Sequence, residues 1–107
     1  MIDYMYIISN DQGFIKVGIS KNPTKRIRQL QTGNEHVLTL LHTEEFECSR
    51  NHLLKIEKLV HNHFNVNCLS HRGEWYEISP DQLEKIKNFI IYSRIRYEND
   101  QGYFCFK

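Results

Sequence analysis

Phe14-Ile-Lys-Val-Gly-Ile-Ser-Lys-Asn-Pro-Thr-Lys-Arg-Ile-Arg-Gln-Leu30 decides the fold. Ile15, Val17 and Ile19 alternate with Phe14, Lys16 and Gly18, which is the period of a two-faced strand. Gly18 allows a close approach that a side chain would block. Asn22 is a good N-cap, and Pro23 at the first helical position loses only an N–H that would lack a helical partner anyway. The stretch therefore reads as a strand, a short loop and a helix over 23–31, with Gly33 as its C-terminal stop. From Lys16 to Leu30 there are five cations (Lys16, Lys21, Lys25, Arg26, Arg28) and no acid. A basic helix start after a glycine-ended strand is a suitable seat for a phosphate.

Working outward, residues 4–9 alternate as a preceding strand, and Asn10-Asp-Gln-Gly13 is turn chemistry, so the two strands form an antiparallel hairpin. If Tyr6 pairs with Lys16 the two share a face; a slip of one residue separates them. His36 to Glu47 is apolar without a helical stripe and reads as a third strand. Ser49 caps a helix over about 50–64, in which Leu53, Ile56, Val60 and Phe64 form the buried stripe. Residues 65–73 read as a polar loop and Glu74 to Ile78 as a short strand with Trp75 and Tyr76 as packing residues. Ser79-Pro-Asp-Gln82 opens a third helix with Leu83, Ile86, Phe89 and Ile90 on its core face. Tyr103 to Phe106 reads as an edge strand or docked tail. The expected class is α+β: a small three-stranded antiparallel sheet flanked by helices, with one further short strand.

The 107 residues suit a single domain, and 40% hydrophobic with 12% aromatic content argues against disorder. No apolar run approaches the length of a membrane helix and no signal-peptide pattern opens the chain, so a cytoplasmic protein with no membrane partner is expected. Cys48, Cys68 and Cys105 are an odd set that reads as free thiols. Cys48 with His52, and Cys68 with His71, could be assembled into a zinc site, but neither pair is a CxxC and their separation matches no finger pattern. A net charge of +1 gives little overall attraction to nucleic acid, so any such interface must be local.

Four landmarks carry a resemblance. Tyr6-Ile-Ile, followed by Lys16-Val-Gly-Ile-Ser-Lys-Asn-Pro-x-Lys-Arg, resembles the opening of a GIY-YIG nuclease domain, in the small phage and bacterial branch where "KIG" replaces "YIG". Leu53-Leu-Lys-Ile-Glu57-Lys-Leu-Val-His61-Asn-His-Phe64 resembles that branch's "lEk-lH-F" helix, and Arg72-Gly-Glu-Trp-Tyr-Glu-Ile-Ser79 its "GEWFELS" strand. The likeness spans about residues 4–86. Tyr4-Met5 stands where the family has glycine and isoleucine, and Lys16 sets aside a mechanism with two tyrosines.

The resemblance implies a metal-dependent DNA endonuclease with one active site that nicks one strand as a monomer or weak homodimer, RNA remaining open as a substrate. Glu57 takes the position of the family's metal-ligating glutamate, for one Mg²⁺ or Mn²⁺; read from its place at the edge of the apolar stripe alone, it could equally be a core-edge ion pair, to Lys16 or an arginine. Arg26 takes the position of the phosphate-holding arginine, with Lys21, Lys25 and Arg28 as flanking phosphate contacts. Tyr6, assisted by Lys16, would activate a water. His61, one turn after Glu57, could orient a phosphate, shuttle a proton or bond locally, whereas His42 on a strand reads as structural. Two other classes remain open on sequence alone. One is a non-catalytic nucleic-acid-binding module. The other is a protein-interaction regulator, which requires an exposed apolar patch around Trp75–Tyr76 and Tyr103–Phe106.

Overall fold

In the computed structural model, described over residues 2–99, the elements run β1 (Ile2–Ser9), β2 (Phe14–Ser20), α1 (Pro23–Gln31), β3 (Thr39–Glu47), α2 (Arg50–Asn67), β4 (Ser70–Arg72), β5 (Trp75–Glu77) and α3 (Pro80–Asn99). The strands form one antiparallel sheet in the order β3-β1-β2-β5-β4. The α+β expectation holds, with five strands rather than three and one. The added strand is β4, which lies in the stretch read as loop; α2 also runs three residues further than its apolar stripe required. β3 begins at Thr39 rather than His36. Tyr103 to Phe106 lie outside the described residues.

Local chemistry explains the frame. Asn10 Oδ1 accepts the backbone N–H of Gln12 and of Phe14, each at 2.9 Å, and Gly13 takes φ +83°, closing the β1–β2 turn. Asn22 Oδ1 accepts Lys25 N–H at 3.1 Å and caps α1, and Gly33 follows that helix at φ +76°. Ser49 accepts His52 N–H at 3.3 Å, and Ser79 accepts Gln82 N–H at 3.3 Å, so α2 and α3 begin where expected.

One face of the sheet supplies Met5, Ile7, Ile15, Val17, Phe46 and Tyr76 to the core. Against it pack Leu53, Ile56, Val60 and Phe64 of α2 with Ile86 and Ile90 of α3; Leu83 and Phe89 are partly buried beside them. The Phe64 and Tyr76 rings stack with centroids 4.9 Å apart. The opposite face carries Tyr6, Ile8, Lys16 and Gly18 by the alternation of the pleat. Helix α1 contacts β1, β2 and β3 but buries none of its residues fully. No helix among the described residues is long and apolar enough to cross a membrane.

Candidate active site

The site begins with the register of the hairpin. Tyr6 lies opposite Gly18, and Lys16 opposite Ile8. The expected Tyr6–Lys16 pairing is therefore off by two residues, a shift that keeps both side chains on the same face as diagonal neighbours. The register also explains the glycine: a methyl group at position 18 would overlap the Tyr6 hydroxyl and Cζ. The phenol lies over the backbone of Gly18, with Tyr6 only 3% exposed.

The seam on the other side of β2 is short. β5 pairs with β2 only at Phe14 and Ile15, so from Lys16 onward that edge of β2 has no described strand partner. Lys16 is nearly buried, and its ammonium pairs with the carboxylate of Glu74, which follows the glycine of the β4–β5 turn. That contact holds the Glu74 carboxyl below the usual carboxylate range, with smaller contributions from His61 and Arg26. The reading of Lys16 as an ion-pair partner of Glu57 is thereby corrected: Glu74 takes the ammonium.

Glu57 is half-buried on α2, and none of the described residues forms a hydrogen bond or ion pair with its carboxylate. Burial, the largest influence, pushes its carboxyl above the usual range. Glu74 adds to the rise, while His61, Lys16 and Arg50 oppose it. Glu57 thus lies in the fields of His61, Glu74 and Lys16, and Glu74 in those of Lys16, His61 and, from α1, Arg26. His61 is half-buried, its ring 5.9 Å from that of Tyr76 and 6.5 Å from that of Phe64.

The remaining sequence candidates fall elsewhere. Lys25 and Arg28 are exposed on α1, outside this cluster. Lys21 lines a shallow concavity of about 420 Å³ at the start of α1 with Tyr4, Pro23 and Thr43. His42 contacts Glu44 at 3.0 Å, and Glu44 in turn pairs with Arg94 of α3, a tie between sheet and helix. Tyr76 is a core residue, 5% exposed, so it adds nothing to the expected apolar patch, whose other part, Tyr103 to Phe106, lies outside the described residues. The zinc combination fails on length: Cys48 precedes α2 and Cys68 follows it, and 18 helical residues span about 27 Å. Burial also raises the Cys48 thiol, disfavouring the thiolate a metal needs.

Sequence reasoning missed Glu74 as part of the cluster, having read it only as the start of a strand. A signal was available: a lysine in the middle of an otherwise apolar strand calls for a counter-charge, and Glu74 stands beside a turn glycine.

The residues present fit a hard divalent cation. Glu57 is a half-buried carboxylate without a counter-charge in contact, and oxygen donors suit Mg²⁺ or Mn²⁺. No group of three His, Cys, Asp or Glu side chains among the described residues converges as a ligand set. Glu57 would hold an ion alone among these side chains, with water and phosphate oxygens as the other ligands.

The family model described as the T5orf172 domain matches residues 3–91. The chain belongs to this family. The T5orf172 domain is phage-associated and related to nuclease-like folds of the GIY-YIG type, and it is compatible with a nuclease or nucleic-acid-binding role. No curated protein and no solved structure matches the chain. The match covers β1 through most of α3, so every residue of the site lies within the T5orf172 domain.

Proposed function

We propose that this T5orf172 domain is a divalent-metal-dependent DNA endonuclease acting through one site. The observation that carries the reading is the uncompensated, half-buried Glu57 carboxylate within the fields of Lys16, His61 and Glu74. A purely structural glutamate in such a place would be expected to take the nearby ammonium, yet Lys16 is paired with Glu74.

The roles follow from chemistry. Arg26, exposed near the start of α1, offers a fork of N–H donors to the non-bridging oxygens of the scissile phosphate. Lys21, Lys25 and Arg28 extend that positive surface along the strand being cut. Tyr6, with Lys16 on the same face of the sheet, activates the attacking water through its phenolic oxygen. Glu74 keeps the ammonium in place. Glu57 would hold a Mg²⁺ or Mn²⁺ ion, which when bound would supply a Lewis acid for the charge that develops on the phosphate oxygens.

The test is nicking of supercoiled plasmid with Mg²⁺ or Mn²⁺ by wild type and Glu57→Ala, each with and without EDTA. Cleavage by wild type, lost with EDTA and reduced at least ~100-fold in the variant, is expected. Cleavage that survives Glu57→Ala would sink the assignment. A folded, metal-supplied wild type that cuts nothing would leave a binding module.

A further inference from the structure

At the β2–β5 seam lies a concavity of about 160 Å³, lined by Asn10, Gln12, Phe14, Asn34, His36, Arg72 and Trp75. We propose that it seats one unpaired nucleobase of the strand presented to the active site. The proposal rests on the nucleic-acid reading above and adds the form of substrate the site takes.

The walls match the chemistry of a heterocycle. Phe14 and a half-buried Trp75 are aromatic, and the Arg72 guanidinium carbon lies 5.8 Å from the Phe14 ring centroid, in cation–π range. Aromatic faces and a guanidinium plane are the surfaces on which unstacked bases settle, whatever their identity. The polar lining is fixed and rich in donors. Asn10 Oδ1 is engaged by two backbone N–H groups, and Asn34 Oδ1 accepts His36 N–H at 2.9 Å. Because those bonds fix the oxygens, each carboxamide keeps its NH₂ to offer the carbonyl and ring-nitrogen acceptors of a base.

The seat is also pre-formed. Gln31 Nε2 donates to the carbonyls of Asn34 and His36 at 3.2 and 2.8 Å, and its Oε1 accepts Leu38 N–H at 2.8 Å. His36 Nδ1 lies 2.9 Å from Asp11 Oδ1, joining the α1–β3 loop to the β1–β2 turn. Placement ties the seat to the cluster. Phe14 and Lys16 share a face of β2, and the Phe14–Glu77 register continued by two residues sets Trp75 across from Lys16. A base held here leaves its phosphate near the Lys16–Glu74 pair. The aromatic and guanidinium lining suits the face of a single unstacked heterocycle, so the preferred substrate is a single strand, a flap or a mismatch.

Trp75 is the only tryptophan of the chain and reports directly. Glu57→Ala protein, which keeps the seat, is titrated without metal against a single-stranded oligonucleotide, a fully abasic oligonucleotide of the same length and a blunt duplex. Tryptophan emission reads the seat, and anisotropy of the labelled nucleic acid reads total binding. The base-bearing strand is expected to quench Trp75 saturably and to bind roughly tenfold more tightly than the abasic strand, a preference lost in Arg72→Ala and, by anisotropy, in Trp75→Leu. Equal affinity for abasic and base-bearing strands, or a preference unchanged in both variants, overturns the proposal. Plasmid nicking by wild type without base-dependent quenching overturns the seat and leaves the endonuclease standing; no binding to any nucleic acid overturns the seat and the nucleic-acid reading together.

Discussion

Two seams of the sheet, β1–β3 and β2–β5, differ in length and in what they carry. β3 runs along β1 from Ile2 to Ser9, broken only by a bulge at Ile7–Ile8, whereas β5 meets β2 at two residues. The long seam backs the core: Phe46 is 1% exposed, and Asp3, across from it, is 1% exposed and paired with Arg50 at 2.7 Å. The short seam leaves the edge of β2 open beside Lys16, Glu74 and Glu57. Pairing that stops early leaves the backbone edge of β2 without a described strand partner from Lys16 onward, and Glu74 meets the lysine there. The best-packed seam and the candidate site are thus placed on opposite sides of the β1–β2 hairpin.

Substitutions can break this contrast. The largest effect is expected on the long seam: Phe46→Ala empties a fully packed position and should cost about 3–5 kcal/mol by chemical denaturation. A cost under ~1 kcal/mol would mean that this seam is not the scaffold. On the short seam, Glu74→Ala strips the counter-charge from Lys16. Because Glu74 itself is largely exposed, solvent screens the pair, and the expected cost is about 1 kcal/mol at neutral pH. Its pH dependence has a definite sign. The Glu74 carboxyl is depressed in the folded state, so the pair stabilises above the usual carboxylate range and ceases to do so as pH falls through the depressed value. The difference between wild type and variant should therefore vanish in acid.

A change of similar size is expected in the opposite direction. Glu57 carries a raised carboxyl, so the folded state holds its proton more tightly than the unfolded chain. Stability then falls as pH rises from the unfolded value through the folded one, and ionised Glu57 is a liability at pH 7. Glu57→Gln should raise Tm by roughly 4 °C, or about 1 kcal/mol after allowing for the water that reaches the group, and the gain should fade below the usual carboxylate range. Thermal melts of both proteins from pH 4 to 8, without added metal, decide it; a loss of stability at pH 7 would show that Glu57 has a structural partner.

What could be read from the sequence was local. The cap at Asn22, the proline after it and the stripe from Leu53 to Phe64 each act within one or two turns, and each was visible in residue order. The hairpin was visible from Asn10 and Gly13, but its register was not, because a shift of two residues preserves every face assignment. Ser70-His-Arg72 is too short and polar to display strand alternation, and β4 exists by pairing with β5. Of the site, Tyr6, Lys16, Arg26, Glu57 and His61 were legible through the resemblance and its motif spacings. The bond from Lys16 to Glu74 joins residues 58 apart in sequence, a separation that no local pattern encodes.

The helices that carry Glu57 and Arg26 are anchored very differently. Glu57 follows Ile56, a fully buried residue of α2, so its position inherits the positional precision of a packed core. Arg26 stands on α1, nine residues long with none fully buried. One half of the site is therefore stiff and the other compliant. The rigid half holds the carboxylate to fixed coordinates, while under the proposed function the compliant half would let the guanidinium follow a phosphate backbone whose path differs between a duplex, a flap and a free strand.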